Sequence, residues 1–355
     1  METKHIYGLI MAGGVGSRFW PMSTEEKPKQ FLDILGLGKS LLQLTFERLN
    51  KQIPSEQIFI LTNKSYFSLV KEHLPMLRDD QIICEPQRKN TAPCILYAAM
   101  KIQHIDPNST LVVSPSDHLI LQEDRFHDQL SIAFDEAQKG KLITLGIHPT
   151  RPDVGYGYIE FDSSINKTAG NVAKVLQFRE KPKLEQAKEF IKAGNFYWNA
   201  GIFIWKTAVI LSAFEQYQSE LYQLFQGILI GSADEIDQLA HAFAECQDVS
   251  IDYAILEKSD EILVVLTDFD WSDLGTWGSL SEKTSVNEFG NSVINVDAHF
   301  FNSSNNLVIS SLSKKIVIDG LDDYIVVDSG DKLLIIKKEN EGQLKTYLKT
   351  IGEIV

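Results

Sequence analysis

YGLIMAGGVGSRFWPMSTEEKPKQF, residues 7–31, sets the terms on which the rest of the chain is read. Tyr7 to Met11 is a short apolar run, the pattern of a buried first strand. It breaks into Gly13, Gly14, Val15, Gly16, Ser17 and Arg18. Glycines at this density let the backbone turn sharply and bring its N–H groups against a ligand. Arg18 closes the turn, and Lys29 follows a loop marked by Pro21 and Pro28, expected to be exposed. A glycine turn behind a first strand, with an Arg and a Lys after it, points to a cradle for phosphate anions. The bland alternative is an ordinary Gly-rich β–α turn with two surface cations.

Working outward, strands are expected at 58–63, 81–86, 110–120 and 142–147, with helices at 41–50, 66–74, 91–105 and 124–138 between them. Ser40 and Thr91 are placed as helix caps, and Pro93 suits a first turn. This alternation predicts an α/β fold, a doubly wound and mostly parallel sheet with helices on both faces. The rhythm changes past residue 150. Strands at 155–161, 172–182, 197–205 and 261–277 enclose a helix at 183–193 and helical segments over 207–257. Open α/β sheets place ligands at the carboxyl ends of their strands. The polar tips at 13–18, 85–91, 115–118, 180–182 and 271–275 all follow strand-like runs and are expected to converge on one cleft. From about residue 291 short strands recur with no repeat of fixed length, an all-β texture closed by a helical stripe of Leu344, Tyr347, Leu348 and Ile351. The expected division is a catalytic domain over 1–285 and a small C-terminal β module with a terminal helix over 286–355.

A net charge of −14 argues against general binding of nucleic acid or anionic membranes, though not against a nucleotide met by a local basic patch. Cys84, Cys94 and Cys246 form no C-x-x-C, so neither a disulfide framework nor a zinc site is expected, and a reducing cytoplasm is the default location. The first apolar run is too short for a signal peptide, and no stretch approaches the ~18 apolar residues of a membrane span.

Other phosphate loops do not fit. The P-loop pattern is absent, the dinucleotide fingerprint would need a third glycine where Phe19 stands, and no H-R-D or D-F-G follows. The stretch instead resembles the signature of the sugar-nucleotide pyrophosphorylases, a Rossmann-like nucleotide-diphospho-sugar transferase fold. Within them it is most similar to mannose-1-phosphate guanylyltransferases, whose pattern is G-G-x-G-[ST]-R-[LF]-W-P-x-S and then P-K-Q-[FY]. Gly13 through Ser23 and Pro28 through Phe31 match. The segments EPQRKNTAP (85–93), PSDH (115–118), GYGYI (155–159), FREKP (178–182), NAGIF (199–203) and WSDLGTW (271–277) extend the resemblance over roughly residues 6–280. GLDDYIVVDSGDKLLII (320–336) adds a C-terminal match, with Lys332 where the family often has Ala.

The resemblance implies transfer of GMP from GTP to mannose 1-phosphate, releasing pyrophosphate. A sugar phosphate is already mostly dianionic near neutral pH, its second pKa being about 6, so the attack needs no general base. The demand is to position two polyanions and stabilise charge in an in-line displacement. The family roles then fall on the following residues. Gly13, Gly14, Gly16 and Ser17 wrap the nucleotide phosphates, and Arg18 holds the departing pyrophosphate. Lys29 sits between the α-phosphate and the attacking phosphate. Asp117 and Asp273 hold Mg²⁺, which favours one or two carboxylates plus phosphate oxygens and water. Glu85, Asn90, Thr91 and Ser116 belong to the nucleotide pocket, with Glu85 suited to accept the guanine N–H groups. Gly157, Glu180 and Asn199 form the sugar set, and Lys181 clamps the sugar phosphate. Taken alone, Asp117 reads as a turn residue, Asp273 as a helix cap, Glu85 as a surface partner of Arg88 or Lys89, and Glu180 as a partner of Lys181 or Arg179. His118 reads as structural, and Trp20, Trp198 and Trp277 as core. A homodimer is expected on resemblance alone. Longer relatives carry an isomerase domain for which this chain has no room, so no isomerase activity is expected. The rivals are another nucleotide–sugar pair, or a catalytically inactive regulatory homologue, against which Arg18, Lys29, Asp117 and Asp273 speak.

Overall fold

The apolar run after His5 becomes β1 (Ile6–Met11), and its neighbours are equally apolar: β2 (Ile58–Asn63), β3 (Ile82–Glu85) and β4 (Thr110–Pro115). The computed structural model describes residues 3–14, 17–164, 166–311 and 314–353. Later strands are β5 (Leu119–Ile120), β6 (Leu142–Ile147), β7 (Tyr158–Phe161), β8 (Val172–Arg179), β9 (Phe196–Lys206), β10 (Ile262–Thr267) and β11 (Trp271–Ser272). The helices are α1 (Leu41–Asn50), α2 (Phe67–His73), α3 (Thr91–Ile105), α4 (Glu123–Gln138), α5 (Leu184–Ala193), α6 (Thr207–Tyr217), α7 (Ser219–Gln226) and α8 (Glu235–Glu245). The chain divides into two compact units: unit 1 is Met1–Gly13, Thr45–Ser116 and Ile120–Trp271, and unit 2 is Gly14–Leu44, Asp117–Leu119 and Ser272–Val355.

In unit 1, among the described residues, nine strands form one sheet in the order β3-β2-β1-β4-β9-β6-β10-β8-β7. The run β3-β2-β1-β4 is parallel, as are β6 and β10, while β9 lies antiparallel between β4 and β6, and β8 lies antiparallel to β10 and β7. The architecture is α/β with a mostly parallel, mixed sheet. The two reversed strands account for the broken β–α rhythm past residue 150. Burying near-continuous apolar strands such as β4 and β6 on both faces is what forces the helices onto the sheet. The register sets Met11 beside Leu61 and Pro115, and Asn63 beside Glu85, so the carboxyl ends of β1 to β4 share one edge.

The cap of α3 differs from the expectation. Asn90 accepts the Thr91 N–H at 3.0 Å from a left-handed backbone (φ 64°), so Asn90 is the cap and Thr91 opens the helix. The Asn90 side chain reaches its neighbour's N–H as a cap, from a backbone (ψ −161°) that is costly for any residue with a side chain. At α1 Ser40 does cap: its hydroxyl accepts the Gln43 N–H at 3.3 Å, and the Gln43 side chain accepts the Ser40 N–H at 2.9 Å. Past α8 the chain closes one π-helical turn, Asp252–Leu256.

Unit 2 holds α9 (Trp277–Ser281), strands β12 (Ser292–Ile294), β13 (Asp297–Phe301), β14 (Leu307–Ser310), β15 (Lys315–Asp319), β16 (Tyr324–Ser329) and β17 (Lys332–Lys337), and α10 (Leu344–Thr350). Its strands stack as coils: Ser292 pairs Leu307, Leu307 pairs Ile325, and Asp297 pairs Lys315, all in parallel. In β13 only Ala298 and Phe300 turn inward, while Asp297, His299 and Phe301 are exposed. The corners are built by asparagines. The Asn291 side-chain Oδ1 accepts both the backbone and side-chain N–H of Asn306 (3.0 and 2.9 Å), and Asn306 Oδ1 accepts the Tyr324 N–H at 2.9 Å. Asn295, Asn302, Asn305 and Asp323 take the left-handed turns between strands. The unit's core joins Phe19, Leu32, Trp277, Leu307, Ile325, Leu344 and Leu348. Of the terminal stripe, Leu344 and Leu348 are buried, whereas Tyr347 and Ile351 are exposed. Among the described residues no helix is long and apolar enough to cross a membrane.

Candidate active site

Unit 2 contains a cleft of about 280 Å³ lined by Arg18, Phe19, Lys29, Asp117, His118, Asp273, Leu274 and Gly275. Four of the predicted residues therefore share one wall. Lys29 departs from the expected exposed loop: it is 4% exposed, in a buried turn Lys29–Phe31. Its ammonium donates to Asp117 Oδ2 (3.0 Å) and to the backbone oxygen of Asp273 (2.6 Å), and lies 5.5 Å from the Phe19 ring centre. A buried ammonium has to be paired in this way, because desolvation without partners costs several kcal/mol. Burial opposes ionisation of Asp117, but the Lys29 charge, aided by His118, outweighs it and holds the carboxyl below the usual range. His118 stands 3.9 Å from Asp117 Oδ1.

Asp273 is not the cap of α9, which is Thr276. Its Oδ1 accepts the Gly275 N–H at 2.8 Å, folding the carboxylate back over the loop. A Cβ at Gly275 would lie 2.8 Å from Asp273 Oδ2, so only glycine leaves the carboxylate there. Leu274 between them is fully buried with φ at 46°, a conformation costly for a leucine and held by its packing. A group the sequence reading passed over steadies this loop. Glu341 accepts the N–H groups of Trp277 and Gly278 (3.1 Å from Gly278 to Oε2). Burial pushes the Glu341 carboxyl up, and these bonds and the Arg18 charge pull against it. Arg18 is exposed at the cleft. Gly14 accepts at its carbonyl from Gln30 Nε2 (2.9 Å). Gly16 lies outside the described residues, and Ser17 enters only as the start of the turn Ser17–Phe19.

Unit 1 holds the remaining predicted residues in two groups. At the shared strand edge, Glu85 Oε1 sits where a Cβ on Gly13 would be 3.0 Å away. Glu85 is buried, not a surface ion-pair partner: Arg88 donates to the Tyr66 hydroxyl (2.6 Å), and Lys89 to the Cys246 carbonyl (3.0 Å). Burial raises the Glu85 carboxyl to about 7, against a smaller opposing pull from Arg88. Ser116 is buried, its N–H on the Met11 carbonyl (3.0 Å) and its own carbonyl accepting the Thr45 hydroxyl (3.2 Å), a tie between strand ends. The Thr91 hydroxyl accepts the Ile251 N–H at 2.8 Å.

The second group joins Gly157, Glu180 and Asn199. A Cβ on Gly157 would lie 2.6 Å from Glu180 Oε2 and 3.6 Å from Asn199 Cβ, so the missing side chain is what admits the carboxylate. The Asn199 N–H donates to the Gly157 carbonyl (2.8 Å). Lys181 pairs with Glu180 at 3.1 Å, from a left-handed backbone (φ 42°). Trp198 and Trp277 are buried in their cores, and Trp20 is half-buried.

A family model described as nucleotidyl transferase matches residues 7–288. A mannose-1-phosphate guanylyltransferase of Klebsiella pneumoniae is 37% identical over 84% of this chain and 64% of its own length, and one of Escherichia coli is 36% identical with the same coverage. The chain thus spans about 64% of the length of these curated relatives. A solved structure from Thermus thermophilus, described as a mannose-1-phosphate geranyltransferase, superposes with a TM-score of 0.88 at 27% identity, covering 98% of this chain and 99% of that one.

Proposed function

The chain belongs to the nucleotidyl transferase family, and on that premise we propose that it transfers GMP from GTP to mannose 1-phosphate, giving GDP-mannose and pyrophosphate. The observation that carries this reading is the Lys29–Asp117–Asp273 cluster, a buried ammonium between two aspartates in a cleft that also exposes Arg18. Phosphoryl transfer asks for positioned cations rather than an acid–base pair, and this cleft offers them. Lys29 exchanges Asp117 for a phosphate oxygen when substrate arrives, its compact charge suiting a crowded phosphorus. Arg18 holds the leaving pyrophosphate. Asp117 and Asp273 offer the hard oxygens that Mg²⁺ takes, and the Asp117 carboxylate with the Asp273 backbone oxygen already holds one cation, the Lys29 ammonium. When bound, that ion would supply charge neutralisation and orientation of the α-phosphate. The relatives' names support guanine and mannose as base and sugar. In this reading Glu85 accepts guanine N–H groups, with Asn90 and Thr91 shaping its loop, and Gly157, Glu180 and Asn199 take the hexose, Lys181 its phosphate. We read the unit 1 sheet as the doubly wound, Rossmann-like sheet of such transferases, residues 286–355 as a C-terminal module, and the assembly as a homodimer in the cytoplasm.

The test is pyrophosphate release across four nucleoside triphosphates and several hexose 1-phosphates. Unpaired acceptors cost roughly 1–3 kcal/mol each, so GTP should exceed ATP and UTP by at least ~10-fold in kcat/KM. Equal use of UTP or dTTP would place the protein with another nucleotide–sugar pair, and no release from any pair would make it an inactive homologue.

A further inference from the structure

The segment SIDYAILEK, residues 250–258, carries no role in the reading above. In the structure this segment and Val249 before it are stitched to Lys89 and the first turn of α3: Val249 N–H donates to the Lys89 carbonyl (3.3 Å), Ala92 N–H to the Val249 carbonyl (3.1 Å), and Ile251 N–H to the Thr91 hydroxyl (2.8 Å). The next residue opens the π-helical turn Asp252–Leu256, whose Ala254, Ile255 and Leu256 are buried. Such turns aim a side chain that a regular helix would not. Here the side chain aimed is Asp252, and its Oδ1 accepts from Asn199 Nδ2 at 2.8 Å.

We propose that Asp252 is a positioning residue that fixes the Asn199 amide as a hydrogen-bond donor beside Glu180. The other end of that amide is fixed too. Asn199 Oδ1 accepts the Gly201 N–H at 3.1 Å and faces the Thr144 hydroxyl at 3.4 Å. A backbone N–H can only donate and a carboxylate can only accept, so the two neighbours allow one orientation of the amide. Its oxygen is spent, and one N–H remains for a ligand. Glu180, meeting Asn199 over Gly157, supplies the acceptor. A donor and an acceptor side by side match adjacent hydroxyls of a hexose ring. Without Asp252 the amide is held at its oxygen alone, and the donor loses the anchor at its nitrogen end.

The charges around Asp252 fit a group that works by accepting a bond. Burial, then the neighbouring Glu180 charge, raises its carboxyl to about 6, opposed by the Asn199 bond, with Glu257 a further carboxylate in reach. Glu257 is itself raised by burial and by Glu180, and Tyr253 feels Glu180, Glu257, Lys181 and Asp252. Neutral Asp252 still presents a carbonyl oxygen, so Asn199 keeps its acceptor in either state.

This inference rests on the reading of Asn199 as a sugar ligand. Its test uses the full chain with GTP and mannose 1-phosphate. Wild-type turnover is measured first, and its absence overturns the parent reading. Given turnover, Asp252→Ala should raise KM for mannose 1-phosphate about 10-fold, the scale of one lost charge-assisted bond, and leave KM for GTP within about twofold. Asp252→Asn, which keeps an oxygen for the Asn199 amide, should restore most of the affinity, and it serves as the folded control if the alanine variant melts early. In an Asn199→Ala background, Asp252→Ala should add less than about twofold. An unshifted KM for mannose 1-phosphate, equal shifts for both substrates, no rescue by Asn, or additive losses would each overturn the inference while leaving the transferase reading in place.

Discussion

The two units of this molecule hold the charged groups of their candidate sites in opposite ways. In unit 2 the cluster has a cation at its centre, with Asp117 and the Asp273 carbonyl around the Lys29 ammonium. In unit 1 the candidate base and sugar groups instead hold carboxyls, buried Glu85 against Gly13 and half-buried Asp252 against Asn199, each raised toward neutrality by burial. The difference follows from what each would receive. A phosphate-handling site must carry positive charge, and before a polyanion arrives that charge needs temporary anionic partners. A site for a base or a sugar needs acceptors, and an acceptor that loses its charge cheaply can wait in an apolar pocket without a counter-ion.

The contrast breaks most visibly at Lys29. Lys29→Met should lower kcat about 10²–10³-fold, the scale of losing one preorganised charge donor. Because Lys29 is buried, the variant should also lose stability, by about 1–2 kcal/mol, a figure reduced by the one-third exposure of the Asp117 left behind. Near-native turnover in the variant would remove Lys29 from the chemistry.

Glu85 sharpens the other half. Its folded pKa of about 7 lies above the ordinary value of 4.5, so the folded state binds the proton more tightly than the unfolded chain does. Stability attached to that proton is complete below about pH 4.5 and is lost as pH rises toward 7, on the order of 3 kcal/mol in all. Denaturant unfolding of the wild type and Glu85→Gln should show this falling slope in the wild type and its absence in the variant. Parallel pH profiles would mean that Glu85 is not a destabilised buried acceptor.

A smaller effect is expected at Glu341, which ties the N-terminus of α9 behind the Asp273 loop. Glu341→Ala should raise the Mg²⁺ concentration for half-maximal rate by about 3–10-fold, with about 1 kcal/mol lost in stability. Truncation after Ser285 removes the same tie together with Leu307, Ile325 and Leu344 of the unit 2 core, and should cost solubility as well. An unchanged metal dependence in Glu341→Ala would make the tie purely structural.

The sequence made the strands around β1 legible because they are short apolar runs between turn residues, and β2, α3 and β6 match residue for residue. The family resemblance singled out Lys29, Asp117 and Asp273, which do line one cleft, but the burial of Lys29 was not legible. Nothing local in PKQF shows that its partners lie at 117 and 273. Asp252 and Glu341 were invisible for the same reason, since both act through contacts distant in sequence. The coiled strands of unit 2 were read only as short strands, because the asparagine pairs that align them, Asn291 with Asn306, look like ordinary turn residues until the coils are stacked.

Everything proposed here turns on the cation-centred cluster of unit 2 serving the transfer, with Asp117 and Asp273 acting on one ion. The most direct measurement is kcat against Mg²⁺ concentration for the wild type, Asp117→Asn, Asp273→Asn and the double variant. Each single variant should need more Mg²⁺ for half-maximal rate, and the double variant should match the worse single one, since two ligands of one ion do not contribute independently. Fully additive losses, or an unshifted Mg²⁺ dependence in either single variant, would contradict it.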